Sequence, residues 1–200
     1  MIKAIAFDFG GVFVDTYEYH YQTYAQKYKN LSREKHRWLF EANVLERRNE
    51  LPINDENLDV SMEMQKYLMQ QHIDSKIIDM LKKLKTRYLL FIVTARRDNF
   101  LKEFLLREGV FDLFTALFGS DTQIKKNIKF NMLLENYCLK ANEIIFVTDT
   151  LGDILEAHKA GIRTIAVDFG FHERARLEKG KPIAIISGFD ELESVILKIK

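Results

Sequence analysis

Short, continuously apolar runs punctuate the chain at residues 2–7, 89–93, 144–147, 162–167 and 183–186. They are too short and too uniformly apolar for amphipathic helices, and read as strands buried on both faces, as in a parallel sheet covered by helices. Between the later runs the apolar positions change to helical spacing. Asp98 is placed to cap a helix over 99–108 that Gly109 ends, Asn127 to cap one over 128–140, and residues 153–159 make a third, closed by Gly161. Strands alternating with helices predict an α/β fold, a doubly wound three-layer sandwich around a mostly parallel sheet.

Residues 16–87 break that rhythm. They hold helical patterns over 16–28, 32–50, 55–71 and 74–85, with breaks near Asn30-Leu31, Leu51-Pro52 and His72-Ile73, and no strand-like run. Tyr17, Tyr21, Tyr24 and Tyr28 follow helical spacing and read as a packed face. A helical block of this size between the first two strands reads as an inserted cap. The expected organisation is therefore an α/β core over 1–15 and 88–200 with a small helical cap domain over 16–87.

Bulk composition narrows the function classes. The chain has 200 residues, 47% hydrophobic and 30% charged, enough for one core carrying an insertion. A formal net charge of +1 gives no electrostatic footprint for nucleic acid. The single Cys138 excludes an internal disulfide, fits a reducing compartment, and reads as a small buried residue in the 128–140 helix. No apolar run approaches the roughly 20 residues of a bilayer span, and no basic stretch with a cleavage site precedes the first strand. These features point to a soluble, cytoplasmic protein without a membrane or nucleic-acid partner.

The chemistry gathers where the strands end. Ligands of an open parallel sheet bind beyond the carboxyl ends of its strands. The first run ends on Asp8 and breaks into Phe9-Gly10-Gly11-Val12; the second ends on Thr94; the run 144–147 leads through Thr148 to Asp149, with Asp153 one helical turn on. Carboxylates gathered at one edge repel unless a cation lies between them. Few, hard oxygen donors suit Mg²⁺, and no Cys/His cluster suggests zinc. A lysine in the Lys125-Lys126-Asn127 turn would complete an anion site at a helix start.

Over the whole chain these residues resemble the haloacid dehalogenase superfamily of hydrolases. Asp8 followed by Gly10-Gly11-Val12 is similar to its first motif, Thr94 to its second, a lysine ahead of the Asn127 helix to its third, and Asp149-Thr150-Leu151-Gly152-Asp153 to its acidic fourth. One subgroup places a helical cap after the first motif. The resemblance implies a Rossmannoid core and a Mg²⁺-dependent phosphatase of a small phosphorylated metabolite, monomeric or homodimeric. It assigns Asp8 as nucleophile forming an aspartyl-phosphate, the Thr94 hydroxyl to the transferring phosphoryl group, and Lys126 to both, with Lys125 and Lys129 as alternatives. Asp153 would orient Lys126 or a water on the metal; Asp8, the Gly10 carbonyl and Asp149 would hold Mg²⁺; Gly11, Ala95 and Arg96 would contact substrate.

The chain departs from the family at Gly10, where its phosphatases usually carry a second Asp that protonates the leaving group, an effect worth roughly 10²–10⁴-fold. A good leaving group such as an anomeric phosphate needs less protonation; His20, His36 or Asp15 are the other proton donors to consider. The family's dehalogenases also lack that acid, and Arg33 or Arg37 could serve them as a halide or carboxylate site, but their fourth motif lacks the acid found here at Asp149. A third reading is a non-catalytic binding or regulatory member. Gly170-Phe171-His172 follows the run 162–167 and could place His172 near the site edge, with a plain loop histidine the favoured reading.

Overall fold

The sheet forms where the sequence is apolar at consecutive positions. The computed structural model describes residues 1–123 and 125–199. In chain order its elements are β1 (Ala4–Phe7), α1 (Tyr17–Lys27), α2 (Arg33–Leu39), α3 (Val44–Arg47), α4 (Val60–Leu68), α5 (Ser75–Lys85), β2 (Leu89–Val93), α6 (Asp98–Arg107), β3 (Ala116–Phe118), α7 (Lys126–Asn136), β4 (Ile144–Thr148), α8 (Leu151–Lys159), β5 (Arg163–Val167), α9 (Arg174–Leu177), β6 (Ala184–Ile186) and α10 (Leu192–Lys198). The strands pair in the order β3-β2-β1-β4-β5-β6, every pairing parallel. Strand β3 was not anticipated: three residues at a half-buried edge carry no readable period.

Alternate residues feed two cores. Ile5, Phe7, Leu90, Ile92, Ile145 and Val147 face a layer built from α5, α6 and α10, while Ala4, Ala6, Phe91, Val93 and Phe146 face Phe130 and Leu133 of α7 and Ala157 of α8. The fold is the expected three-layer sandwich. Strand order reverses between β1 and β4, whose register pairs Phe7 with Val147. The crevice past these two strand ends is the switch point where ligands of such sheets bind.

Several helix boundaries differ from the sequence reading because distant groups supply the caps. Helix α6 starts at Asp98 itself, whose carboxylate accepts the Gly119 N–H at 2.7 Å and the Thr122 N–H at 3.0 Å, tying down the loop after β3. Helix α7 starts at Lys126 with Asn127 inside it, and the free N–H groups of both are taken by Glu156 of α8. It ends at Asn136, so Cys138 lies beyond the helix, exposed and in the left-handed region at φ 50°. This corrects the expectation of a buried helical cysteine.

The helical block after β1 is more broken than its periodicity suggests. The 32–50 stretch divides into α2, α3 and a 3₁₀ turn, and the 55–71 stretch shortens to α4. Short polar side chains compete for backbone groups there: Asp55 accepts the Asn57 N–H at 2.9 Å, and Asp59 caps α4 through the Ser61 and Met62 N–H groups. Tyr24, Tyr28, Leu31, Leu39 and Leu51 form a core of their own, so the tyrosine stripe is largely the packed face expected. Helix α5 instead buries Leu81 and Leu84 in the cluster beneath the sheet. Among the described residues no helix is long and apolar enough to cross a membrane.

Inside the insertion His20 Nδ1 lies 2.9 Å from His36 Nε2, both rings buried. Burial, with Arg37 and His172 nearby, pulls His36 down to about 3. An unfolded histidine titrates near 6.5, so between these values the unfolded chain binds a proton that the folded chain refuses. Stability should therefore fall as pH drops from about 6.5 toward 3. Urea unfolding across this range is expected to show His36→Leu flattening the dependence by up to about 1.4 kcal/mol per pH unit; an unchanged slope would assign the proton to other groups.

Candidate active site

Asp8 leaves the end of β1 buried, its N–H bonded to the Val147 carbonyl at 2.9 Å. The ammonium of Lys126, at the first turn of α7, sits 2.8 Å from Asp8 Oδ1 and 2.6 Å from Asp153 Oδ2. Thr148 donates to the same Asp153 oxygen at 2.9 Å. Burial works against the charge on Lys126, but Asp153 and Asp8 outweigh it and raise its pKa. The two alternative lysines are engaged elsewhere. Lys125 pairs with Glu46 of the insertion at 3.1 Å. Lys129, fully buried, donates to the Thr94 carbonyl and is pulled down to about 8, by burial first and then by Lys126.

Asp149 follows β4 and is completely buried. Its Oδ2 accepts the Phe171 N–H at 2.8 Å, whereas Oδ1 has no partner among the described residues. Burial, reinforced by Asp8, pushes its pKa well up; Asp153 is also raised by burial, against the pull of Lys126. Oxygens of Asp8, Asp149 and Asp153 lie within 4.8 Å of one another. Two glycines make room for this packing. A Cβ at Gly11, where φ is +78°, would lie 1.9 Å from Asp149 Oδ2, and one at Gly170 would lie 2.4 Å from it.

A cavity of about 460 Å³ opens over these carboxylates. From the sheet side Asp8, Gly10, Thr94, Ala95, Arg96 and Asp153 line it; from the insertion His20, Tyr24, Phe40 and Arg48 do. Gly11 gives its N–H to the Val14 carbonyl and lies against Asp149, beneath the cavity wall. Asp15 is exposed and accepts the Tyr17 N–H at 3.1 Å. Arg33 pairs with Glu18; Arg37 donates to the Phe171 carbonyl at 3.3 Å and covers the Tyr17 ring.

His172 is not the plain loop histidine that the sequence favours. It is fully buried; its Nδ1 accepts the Leu151 N–H and its Nε2 faces the Arg37 carbonyl, both at 2.9 Å. These partners assign the proton to Nε2 and join the loop after β4, the loop after β5 and α2. The Gly152 N–H reaches the Phe40 carbonyl at 2.9 Å, and Arg176 pairs with Glu34 and Glu41, so the insertion is held down on α8 and α9. Only the cluster of Gly170, Phe171 and His172 beyond a strand end hinted at this.

Comparison with known proteins fits the geometry. A sequence model of the haloacid dehalogenase-like hydrolases matches residues 5–167. The chain belongs to the haloacid dehalogenase-like hydrolase family. Phosphoglycolate phosphatases are among its relatives: the one from Vibrio parahaemolyticus is 26% identical over 112 residues, 54% of this chain and 49% of that protein. The one from Aliivibrio fischeri is 27% identical over 129 residues, 62% and 57% of the two chains. The chain spans about half the length of the curated relatives it matches. A haloacid dehalogenase-like hydrolase from Streptococcus pneumoniae superposes with a TM-score of 0.76 at 20% identity, covering 98% of each chain. A predicted phosphoglycolate phosphatase from Haemophilus somnus gives 0.74 at 21%, also over 98% of each. At these identities the superpositions establish the haloacid dehalogenase-like fold.

In this haloacid dehalogenase-like chain the tightest point is Gly11. Gly11→Ala is expected to displace Asp149 and cost about 1–3 kcal/mol from overpacking in addition to the backbone strain. Gly109→Ala is the control, with φ +68° but nothing within 4 Å of its Cβ, and should show the strain alone, about 1 kcal/mol. Equal urea midpoints for the two variants would contradict the close approach to Asp149.

Proposed function

We propose that the chain is a Mg²⁺-dependent phosphatase of a small phosphorylated metabolite, acting through an aspartyl-phosphate on Asp8. The observation that carries this reading is Lys126 bridging Asp8 and Asp153 beside the buried Asp149. A carboxylate nucleophile must be anionic, open to substrate and oriented. The ammonium fixes one Asp8 oxygen, while the carboxylate faces the cavity. Attack of Asp8 on phosphorus forms the Asp8–phosphoryl bond and breaks the bond to the ester oxygen; water then cleaves the acyl phosphate, releasing phosphate and restoring Asp8. The Thr94 hydroxyl and Lys126 would hold the phosphoryl oxygens through both steps.

The residues fit a hard cation. Asp149 Oδ1 is buried without a partner, and the donors are oxygens throughout. Asp8, Asp149 and the Gly10 carbonyl would hold Mg²⁺, which when bound supplies positive charge to the phosphoryl oxygens. Asp153, already shared by Lys126 and Thr148, is the positioning residue for Lys126.

Proton supply shapes the substrate. Gly10 has no acid to offer, and His20, held neutral by burial, is paired with His36. Leaving groups that depart without a proton, such as anomeric or aryl oxygens, suit this site. Helices α1–α4 within residues 16–87 act as the cap over it. Their contacts with α8 and α9 exclude bulk water and large substrates, and a cytoplasmic location fits such a substrate.

Hydrolysis of p-nitrophenyl phosphate is expected to require Mg²⁺, to vanish with chelator, and to fall by about 10³-fold or more in Asp8→Asn. Rapid quenching should yield a phosphorylated Asp8 peptide from the wild type alone. Turnover in Asp8→Asn equal to wild type would remove Asp8 as nucleophile.

A further inference from the structure

Helix α7 carries two lysines on the face that should be apolar. Its buried residues are Lys126, Lys129, Phe130 and Leu133, the spacing of a core-facing stripe. Phe130 and Leu133 pack against the sheet as such a stripe requires, and Lys126 reaches Asp8 and Asp153. Lys129, one turn on, is completely buried, yet among the described residues no carboxylate lies at ion-pair distance from it. The nearby acids are committed elsewhere: Asp8 and Asp153 to Lys126, and Asp98 to the Gly119 and Thr122 N–H groups. Lysine is almost never fully buried without a charged partner. A leucine or methionine would fill the stripe without desolvating a cation, so packing does not account for this residue.

The acceptor that Lys129 reaches is the Thr94 carbonyl. Thr94 gives its own N–H to the Phe118 carbonyl of β3 at 3.1 Å, so β3 and α7 grip this residue from two sides. Thr94 and Ala95 line the cavity, whereas Lys129 is enclosed behind them. The Thr94–Ala95 peptide is trans, and the carbonyl and N–H of a trans peptide point in opposite directions. With its oxygen drawn back to the ammonium, this peptide turns the Ala95 N–H away from α7. A hydrogen bond from a cation also polarises the amide and strengthens that N–H as a donor.

We propose that Lys129 is a positioning residue of the phosphoryl site, holding the Thr94–Ala95 peptide from behind the cavity wall and adding positive charge beneath the bound anion. That the anion is a phosphoryl group at Asp8 rests on the phosphatase reading. The lysine is then kept for binding and costs the fold stability, the reverse of what a structural anchor would do.

The test titrates the full chain calorimetrically with inorganic phosphate in Mg²⁺ and follows urea unfolding in parallel. At pH 8 Lys129→Met should bind phosphate about tenfold more weakly, the size of one charge-assisted contact, while its urea midpoint stays level or rises. Lys129→Gln, which keeps an N–H donor but loses the charge, is the second variant and should also weaken binding. Leu133→Ala, on the same stripe, should lower the midpoint and keep the affinity.

A pH series separates charge from packing. The charged groups around Lys129 are Lys126 of its own helix, Asp8 of β1, Asp153 of α8 and Asp98 of α6. Burial first, and then Lys126, pulls Lys129 down to about 8, whereas the pKa of Lys126 is raised. Affinity that needs the Lys129 charge is complete below its pKa and is lost as pH rises through it. Wild-type affinity should therefore fall about fivefold or more between pH 8 and 9.5, where phosphate keeps its two charges, and Lys129→Met should not follow. Unchanged phosphate affinity in Lys129→Met, a pH dependence that survives that substitution, or equal loss of affinity in Leu133→Ala would overturn the assignment. The phosphatase reading fails separately: a wild type whose phosphate binding depends on Lys129 but which does not hydrolyse p-nitrophenyl phosphate would keep the positioning role and lose the activity.

Discussion

The site depends on one buried ammonium. Lys126 holds both Asp8 and Asp153 on one ammonium, in a place where two carboxylates alone would repel each other. One ammonium does not balance three acids. Asp149, with Oδ1 unpartnered and its pKa pushed well up by burial and by Asp8, marks where positive charge is still short. Either a proton on Asp149 or a cation relieves that shortage, and the donors, all oxygens, would suit a hard cation. Removing one partner from such a network costs more than the pair itself contributes, because the other is left charged and dry.

The backbone makes this arrangement possible. Parallel pairing of β1 with β4 sets Asp8 and Asp149 side by side at the switch point. Helix α7 begins with Lys125 and Lys126, the wrong sign for a helix N-terminus, where negative charge is favoured. Glu156 corrects this by accepting the first N–H groups of α7, and Asp153 takes the Lys126 ammonium. Both acids lie on α8, one turn apart. That helix thus presents the negative groups that allow a basic helix start to point into the site.

The strands, the helices flanking them and the four strand-end motifs were legible because each is a local pattern: an apolar run, a cap residue, an acid after a run. Lys126 could be chosen over its neighbours from spacing to the apolar face of α7, and it is the lysine found on Asp8. What escaped was pairing across the chain. The caps from Glu156 and the loop role of Asp98 join residues 20 to 30 positions apart, His172 meets Arg37 across 135, and no periodicity records such contacts. Strand β3 was lost to its shortness, and the breaks in the insertion to Asn and Asp side chains that favour turns over the helix their neighbours suggest. Arg48 and Tyr24 lay within helical patterns that gave no sign of facing a cavity.

The insertion is not an independent lid resting on the core. A Cβ at Gly152 would meet the Ala42 carbonyl at 2.6 Å and the Phe40 carbonyl at 2.8 Å, so the end of α2 approaches α8 as closely as backbone can. The residue after that glycine is Asp153. The residue before it, Leu151, gives its N–H to His172, whose other nitrogen holds α2. Lifting the insertion must therefore break contacts to the same turn that carries the Lys126 partner and to the loop that bonds Asp149 through Phe171. The seating of the insertion and the positions of the turns that carry Asp149 and Asp153 thus share one set of backbone contacts, and the small residues at 11, 152 and 170 let those groups come that close.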